Sequence, residues 1–135
     1  MKYDDFSTVS IEQLMLAGNW QHQYKLIIQW GKLIQSKPEI RVADYLIRGC
    51  EIPVWLRHDI NDGKIYVAFD ADSSVIKGLV SLLLVQLQGC KLEELKNLDL
   101  EKSLQGLGLD KHLTPSRNNG LNGIIRRLQE LIKSS

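Results

Sequence analysis

Cys50 is the residue of this sequence best suited to chemistry. Gly49 precedes it and Pro53 follows it, and these residue types indicate a loop with an unusual backbone path. A thiol on such a loop can be presented to a partner, and its thiolate form is a nucleophile. Arg48 favours the thiolate and Glu51 opposes it, so the residues alone do not give the sign of the pKa shift. The alternative is an inert cysteine that packs as a small hydrophobic residue, which is the commoner state of a free cysteine.

The other candidate nucleophiles and ligands have weaker support. Cys90 follows an apolar helix, whose negative C-terminal end disfavours a thiolate. No pair of cysteines or histidines has the spacing of a zinc site, so we expect no metal. No glycine-rich phosphate-binding loop of a standard type is present, and we expect no bound cofactor. A hydrolase built from Cys50 and His112 would also need an orienting group and an oxyanion hole, which the sequence does not identify. Both cysteines are expected to be free thiols, because two cysteines without an export signal do not predict a disulfide framework.

A third group of candidate residues lies near the C-terminus. Thr114 and Pro115 have a structural explanation as the N-cap and the first residue of a helix. Arg117 then falls in the first helical turn, where the helix dipole disfavours a cation. This position suggests a task outside the helix, such as binding a carboxylate, and the alternative is a solvated arginine. Gly120 and Gly123 lie on one face of the same helix, where they would allow another backbone to approach closely.

The elements that must position these residues include a β-hairpin. Apolar and polar residues alternate on both sides of Asp62-Gly63, a dipeptide typical of a tight turn. We therefore expect a hairpin over residues 54–69, with residues 45–47 as a third strand beside it. Residues 36–43 are charged and irregular, and we expect them to form an exposed connector.

Helical periodicity dominates the rest of the chain. The sequence predicts two short helices capped at Ser10 and Asn19, a buried central helix over residues 75–88 capped at Asp72 or Ser73, two short helices over 92–98 and 100–107, and a terminal amphipathic helix from Pro115. This order predicts the α+β class. We expect residues 1–135 to form one small domain, a three-stranded antiparallel sheet with helices packed on it.

Composition and charge exclude several classes of protein. The chain has 135 residues, 44% of them hydrophobic and 24% charged, as in an ordinary globular domain. A net charge of +1 argues against a dedicated nucleic-acid-binding protein. No apolar stretch approaches the roughly 20 residues needed to span a bilayer. The first residues are acidic where a signal peptide would be basic, so we expect a cytoplasmic protein without a membrane partner.

Three segments of the chain resemble the SufE/CsdE family of sulfur-acceptor proteins. Gly49-Cys50, with Trp55 five positions after the cysteine, is similar to the family's loop G-C-x-S-x-V-W. The segment D-S-S-V-I-K-G-L, which begins at Asp72, is similar to the start of its central helix. The segment H-L-T-P-S-R-N-N-G-L, which begins at His112, matches its H-L-T-P-S-R-x-x-G-L signature. The three segments occur in the family's order and spacing, so the resemblance covers nearly the whole chain.

The resemblance implies a function in sulfur transfer. Family members accept a sulfane sulfur from a pyridoxal-phosphate-dependent cysteine desulfurase of the SufS/CsdA type, and pass it to an iron–sulfur scaffold or another thiol acceptor. By position, Cys50 is the persulfide-forming residue, and Arg117 matches the signature arginine. Gly49, Trp55 and Asp72 are the expected supporting or partner-binding residues. The desulfurase supplies the cofactor, so this chain is expected to be an accessory protein and not an independent enzyme. The implied fold is the one shared with NifU/IscU-type scaffold proteins.

Two expectations about the site follow from its neighbouring residues. The loop differs from the family pattern at Tyr45, Ile52 and Pro53, which makes it more apolar and stiffer. Storing the Cys50 thiol against apolar residues would protect it from oxidation, and the loop would then have to move outward on docking. Asp72 is a candidate ion-pair partner for Arg117, which would place that arginine beside the Cys50 loop.

Two other functions stay open at the level of sequence. One is an iron–sulfur scaffold, although cluster assembly normally needs about four thiolate or imidazole ligands and this chain offers one well-placed thiol. The other is a stand-alone thiol enzyme, which would turn over without any partner protein.

Overall fold

The computed structural model describes residues 2–134. Within these residues, the fold consists of a two-stranded antiparallel sheet and five α-helices. The elements in chain order are α1 (Ile11–Met15), α2 (Trp20–Gly31), β1 (Val54–Asn61), β2 (Lys64–Ala71), α3 (Ser74–Leu84), α4 (Leu100–Leu104) and α5 (Pro115–Lys133). Short 3-10 turns lie at Pro38–Ile40, Ala43–Tyr45, Leu92–Leu95 and Leu109–His112. The predicted α+β class is confirmed.

The β-hairpin forms where the sequence predicts it. β1 and β2 pair in one register, from Val54 opposite Ala71 to Asn61 opposite Lys64. Both residues of the Asp62-Gly63 turn have positive φ, as a tight hairpin requires. The second strand runs two residues beyond the predicted end, so the hairpin reaches the start of α3.

The predicted third strand is wrong. Residues 45–47 contribute one isolated bridge between Leu46 and Trp55, and one hydrogen bond of 3.0 Å from the Ile47 amide to the Val54 carbonyl. The chain before this bridge winds into the turn Ala43–Tyr45, and after it the chain bends at Gly49, whose φ is +86°. The extended stretch is therefore too short to form a strand, and the sheet has two strands within residues 2–134.

The helix starts predicted at Ser10, Asn19, Ser73 and Thr114 are confirmed by their capping contacts. Side chains of Ser10, Asn19, Ser73 and Thr114 each accept a hydrogen bond from the third residue that follows. The short helix predicted over residues 92–98 is instead the 3-10 turn Leu92–Leu95, and the one predicted over 100–107 ends at Leu104. α3 is buried along nearly its whole length and ends at Leu84, earlier than predicted, and residues 85–89 continue as turns. No helix within the described residues is both long enough and apolar enough to cross a membrane.

The connector over residues 36–43 is exposed at most of its positions, as expected, but two of its residues are buried. Lys37 and Ile40 are buried, and the Lys37 amide donates a hydrogen bond of 2.8 Å to the Asp70 carboxylate at the end of β2. Arg41 Nε lies 2.8 Å from the same carboxylate. Asp70 is fully buried and needs such donors, which is why the charged connector packs inward.

Candidate functional site

The loop that carries Cys50 lies over the start of α5. We call residues 46–53 the Cys50 loop. It leaves the bridge at Leu46, turns at Gly49 and enters β1 at Val54. A Cβ on Gly49 would meet no atom within 4 Å, so glycine is needed there for its backbone conformation and not for space. The loop thereby places Cys50 against the segment that begins at His112, so the structure brings together two of the motifs found in the sequence.

The thiol of Cys50 points toward α5 and is partly buried. Its Sγ lies 4.0 Å from the carbonyl oxygen of Gly120, and Ile47, Cys50 and Ile52 all pack against the hydrophobic core. Burial raises the pKa of Cys50, and the positive charge of Arg126 offsets part of this shift. The resting thiol is therefore protonated and partly shielded from solvent. The sequence alone left the direction of the Cys50 pKa shift open, and in the structure desolvation determines it.

Glu51 attaches the loop to α5 through two hydrogen bonds. Its amide donates to Asn119 Oδ1 at 3.0 Å, and its carboxylate accepts from Ser116 Oγ at 2.5 Å. Both partners belong to the segment H-L-T-P-S-R-N-N-G-L that begins at His112, which we call the C-terminal motif. Both contacts are at the surface. We call them the Glu51 contacts. Sequence reasoning missed them, although the polar residues of the motif are more numerous than capping alone requires.

Arg117 is placed differently from the expectation. Its Nη1 donates to the carbonyl oxygen of His112 at 3.3 Å, which ties the first turn of α5 to the preceding turn. The expected ion pair with Asp72 is wrong, because Asp72 Oδ1 lies 2.7 Å from Arg41 Nη1. Arg117 is adjacent in sequence to Ser116, whose hydroxyl donates to Glu51, but its own side-chain hydrogen bond is to His112 and not to the Cys50 loop.

Arg41 joins two of the expected supporting residues and was not identified from the sequence. Its guanidinium lies 4.6 Å from the ring centre of Trp55, a cation–π contact, and it pairs with both Asp70 and Asp72. Trp55 also forms the bridge with Leu46 at the base of the Cys50 loop. Arg41 is distant in sequence from its partners, so no local pattern could have indicated this cluster.

His112 has a structural role in this arrangement. The ring is buried and its Nε2 lies 3.1 Å from Gln23 Oε1. Burial lowers its pKa, and the nearby charge of Arg117 acts in the same direction, so the ring is neutral. Within the described residues, the ring makes no hydrogen bond to the Cys50 thiol, whose contact is the Gly120 carbonyl.

Cys90 lies apart from the site. Its carbonyl accepts a hydrogen bond of 3.0 Å from the Ile65 amide at the turn end of the hairpin, whereas Cys50 precedes Val54 at the opposite end. Both cysteines are free thiols. Within residues 2–134, no group of three or more histidine, cysteine, aspartate or glutamate side chains could hold a metal ion.

Two comparisons with known proteins bear on this site. Residues 9–132 match the family model of SufE, described as an Fe-S metabolism associated domain. The fold is similar to the solution structure of a hypothetical protein from Thermus thermophilus, with a TM-score of 0.72 and 18% identity over 98% of this chain and 97% of that one. The second likeness supports the fold. The first covers the Cys50 loop, the hairpin and the C-terminal motif together, and on that match the chain belongs to the SufE family, whose members are accessory sulfur acceptors associated with cysteine desulfurases in iron–sulfur metabolism.

Proposed function

We propose that this protein accepts a sulfane sulfur on Cys50 from a pyridoxal-phosphate-dependent cysteine desulfurase and passes it to an iron–sulfur scaffold or another thiol acceptor. The observation that carries the proposal is the placement of a free, partly buried thiol on a loop that contacts the family's C-terminal motif. The whole chain acts as one SufE-like domain in this proposal. The proposal includes a cytoplasmic location, because a reducing compartment keeps both cysteines as thiols.

The transfer is a thiol–persulfide exchange. The Cys50 thiolate attacks the outer sulfur of a persulfide on the desulfurase, and a new S–S bond forms on Cys50. The S–S bond of the donor breaks at the same time, and its cysteine leaves as a thiolate. One sulfane sulfur moves and no external oxidant or reductant is needed. The chain supplies the nucleophile and its presentation, and the desulfurase supplies the chemistry that releases sulfur from cysteine.

We expect the Cys50 thiol to react slowly in its resting position, so sulfur transfer would require the loop to open. In that position burial holds the pKa of the thiol above its ordinary value, and thiolate is scarce. Opening would break the two exposed Glu51 contacts, worth about 1 kcal/mol each, and would also separate Ile47 and Ile52 from the core. We expect the free energy of desulfurase docking to offset both costs and so to release the thiol. The same arrangement protects Cys50 from oxidation while no partner is bound.

The experiment that tests the proposal is a desulfurase assay. Alanine formation from cysteine is measured for a cysteine desulfurase of the same organism with increasing amounts of this protein. We expect a saturable increase in rate, and no turnover when the desulfurase is left out. No increase at any concentration would contradict the proposal, and turnover without the desulfurase would instead indicate a stand-alone thiol enzyme. A stoichiometric cluster after reconstitution with iron and sulfide would indicate a scaffold.

Arg117→Ala should weaken desulfurase stimulation several-fold and lower the melting temperature little. The arginine is half-exposed and follows Ser116, which forms one of the Glu51 contacts. Its hydrogen bond to the His112 carbonyl uses one of five guanidinium donors. The remaining donors suit a carboxylate on the partner. Lys133→Ala, which removes an exposed cation at the far end of α5, is the control and should leave stimulation unchanged.

The Arg117 prediction separates a functional role from a structural one. Arg117→Lys should recover only part of the stimulation, since an ammonium group lacks the planar pair of donors. If Arg117→Ala left stimulation intact and the melting temperature fell sharply, Arg117 would be a residue that stabilises the start of α5, and its assignment to partner binding would be wrong.

A further inference from the structure

Gly123 lies where the Cys50 thiol meets α5. A Cβ built on Gly123 would be 2.8 Å from Cys50 Sγ and 3.7 Å from Ile47 Cγ2. Non-bonded heavy atoms of this kind are in contact at about 3.5–4.0 Å, so the shorter distance leaves no room for a side chain. The surface of α5 therefore has a depression at Gly123 that the sulfur atom occupies. We call it the Gly123 notch.

The glycine is unfavourable for the helix that contains it. Gly123 lies in the interior of α5, where alanine would be more stable. Gly120 is three residues earlier in the same helix, and a Cβ there would make an ordinary contact of 3.7 Å with Ile76 Cδ1. Space for a methyl group thus exists at position 120 and is absent at position 123. What approaches Gly123 closely is the Cys50 thiol, and not a second backbone as the sequence suggested.

We propose that Gly123 is a positioning residue for sulfur transfer, because the notch it leaves in α5 is what allows the Cys50 thiol to be stored. This inference rests on the proposed function and adds to it a residue of α5 that determines where the Cys50 thiol lies. With alanine at position 123, the sulfur atom would have to leave the notch. Sγ is the end of a short side chain on a loop and moves more readily than the α5 backbone. Cys50 would then stay outside, in water, where it reacts faster with a sulfur donor and also with an oxidant.

Alkylation of Cys50 tests this inference without a desulfurase. In a Cys90→Ser background, the rate of modification by iodoacetamide reports on Cys50 alone. We expect Gly123→Ala to increase that rate on the order of tenfold, because burial no longer suppresses the thiolate. Gly120→Ala is the matched control, since it makes the same change in the same helix, and its alkylation rate should equal that of the parent. Equal rates for Gly123→Ala and the parent would overturn the inference.

A second measurement covers the case in which Gly123→Ala folds poorly. In a Cys50→Ala background the new Cβ has no sulfur to meet, so Gly123→Ala should raise the melting temperature by a few degrees through helix propensity. With Cys50 present, the gain should be smaller or reversed. The same shift in both backgrounds would overturn the inference. Faster alkylation in a protein that accepts no sulfur would instead refute the proposed function and leave the Gly123 notch established.

Discussion

Cys50→Ser abolishes sulfur acceptance and desulfurase stimulation in our account, and it leaves the fold unchanged. The reacting atom is the sulfur itself, and a hydroxyl at the same position forms no thiolate and no persulfide. The fold should tolerate the change because Cys50 is only partly buried and its one polar contact is a weak one of 4.0 Å to the Gly120 carbonyl. We expect stimulation to fall to the background of the desulfurase alone, with a melting temperature close to that of the parent.

Cys90→Ser is the matched control for this prediction. The second thiol lies at the turn end of the hairpin, near the carbonyl oxygens of Gln86 and Gln88, and it takes no part in the proposed transfer. The variant should retain most of the stimulation. If Cys90 turned out to be indispensable, sulfur would move through two thiols, and the single-thiol scheme would have to be replaced.

Asp70→Asn should lower the free energy of unfolding by about 2–4 kcal/mol, the largest stability effect that we predict. The carboxylate is fully buried at the end of β2, where it accepts from Arg41 Nε and the Lys37 amide and lies 3.3 Å from Lys77 Nζ. The amide removes the charge that these groups surround. Asp72→Asn is the control, because Asp72 pairs with the same arginine but is exposed, and its loss should cost less than about 1 kcal/mol.

The same carboxylate makes stability depend on pH. Burial alone would raise the pKa of Asp70, but the hydrogen bonds from Arg41, Lys37 and Ala71 outweigh it and hold the pKa well below its usual range. Its contribution is complete above the unfolded-state pKa of about 3.9 and is lost as the pH falls through the folded-state pKa. Chemical unfolding should therefore show stability falling below about pH 4. The slope should be shallower in Asp70→Asn, and an equal slope in both proteins would contradict this role.

The parts of the fold that could be predicted from the sequence are those set by neighbouring residues. Asp62-Gly63 determines the hairpin turn, and Thr114-Pro115 determines the start of α5, because in each case the required backbone conformation depends on local chemistry. The prediction of a third strand is wrong, and the prediction of an exposed connector misses the burial of Lys37 and Ile40. A strand needs a long enough partner, and the connector is drawn inward by Asp70, a residue about thirty positions away that local patterns cannot reveal.

In the candidate site, too, features set by neighbouring residues could be predicted from the sequence, and contacts between distant residues could not. Residue types and the family pattern were enough to propose Cys50 and Arg117 as candidates, because a loop cysteine and a signature arginine are recognisable from neighbouring residues. The contacts of Glu51 with Ser116 and Asn119 join residues more than sixty positions apart, and so does the fit of the thiol against Gly123. Asp72 pairs with Arg41 and not with Arg117. Both arginines are distant from Asp72 in sequence, so local patterns could not show which of them is its partner.

The most direct test of sulfur acceptance on Cys50 is peptide mapping by mass spectrometry. The protein is incubated with a cysteine desulfurase and cysteine, alkylated to trap persulfides, and digested. The account predicts one added sulfur atom on the peptide that contains Cys50, dependent on the desulfurase and removed by a reductant. Added sulfur on the Cys90 peptide alone, or none on either peptide while the desulfurase turns over, would contradict it.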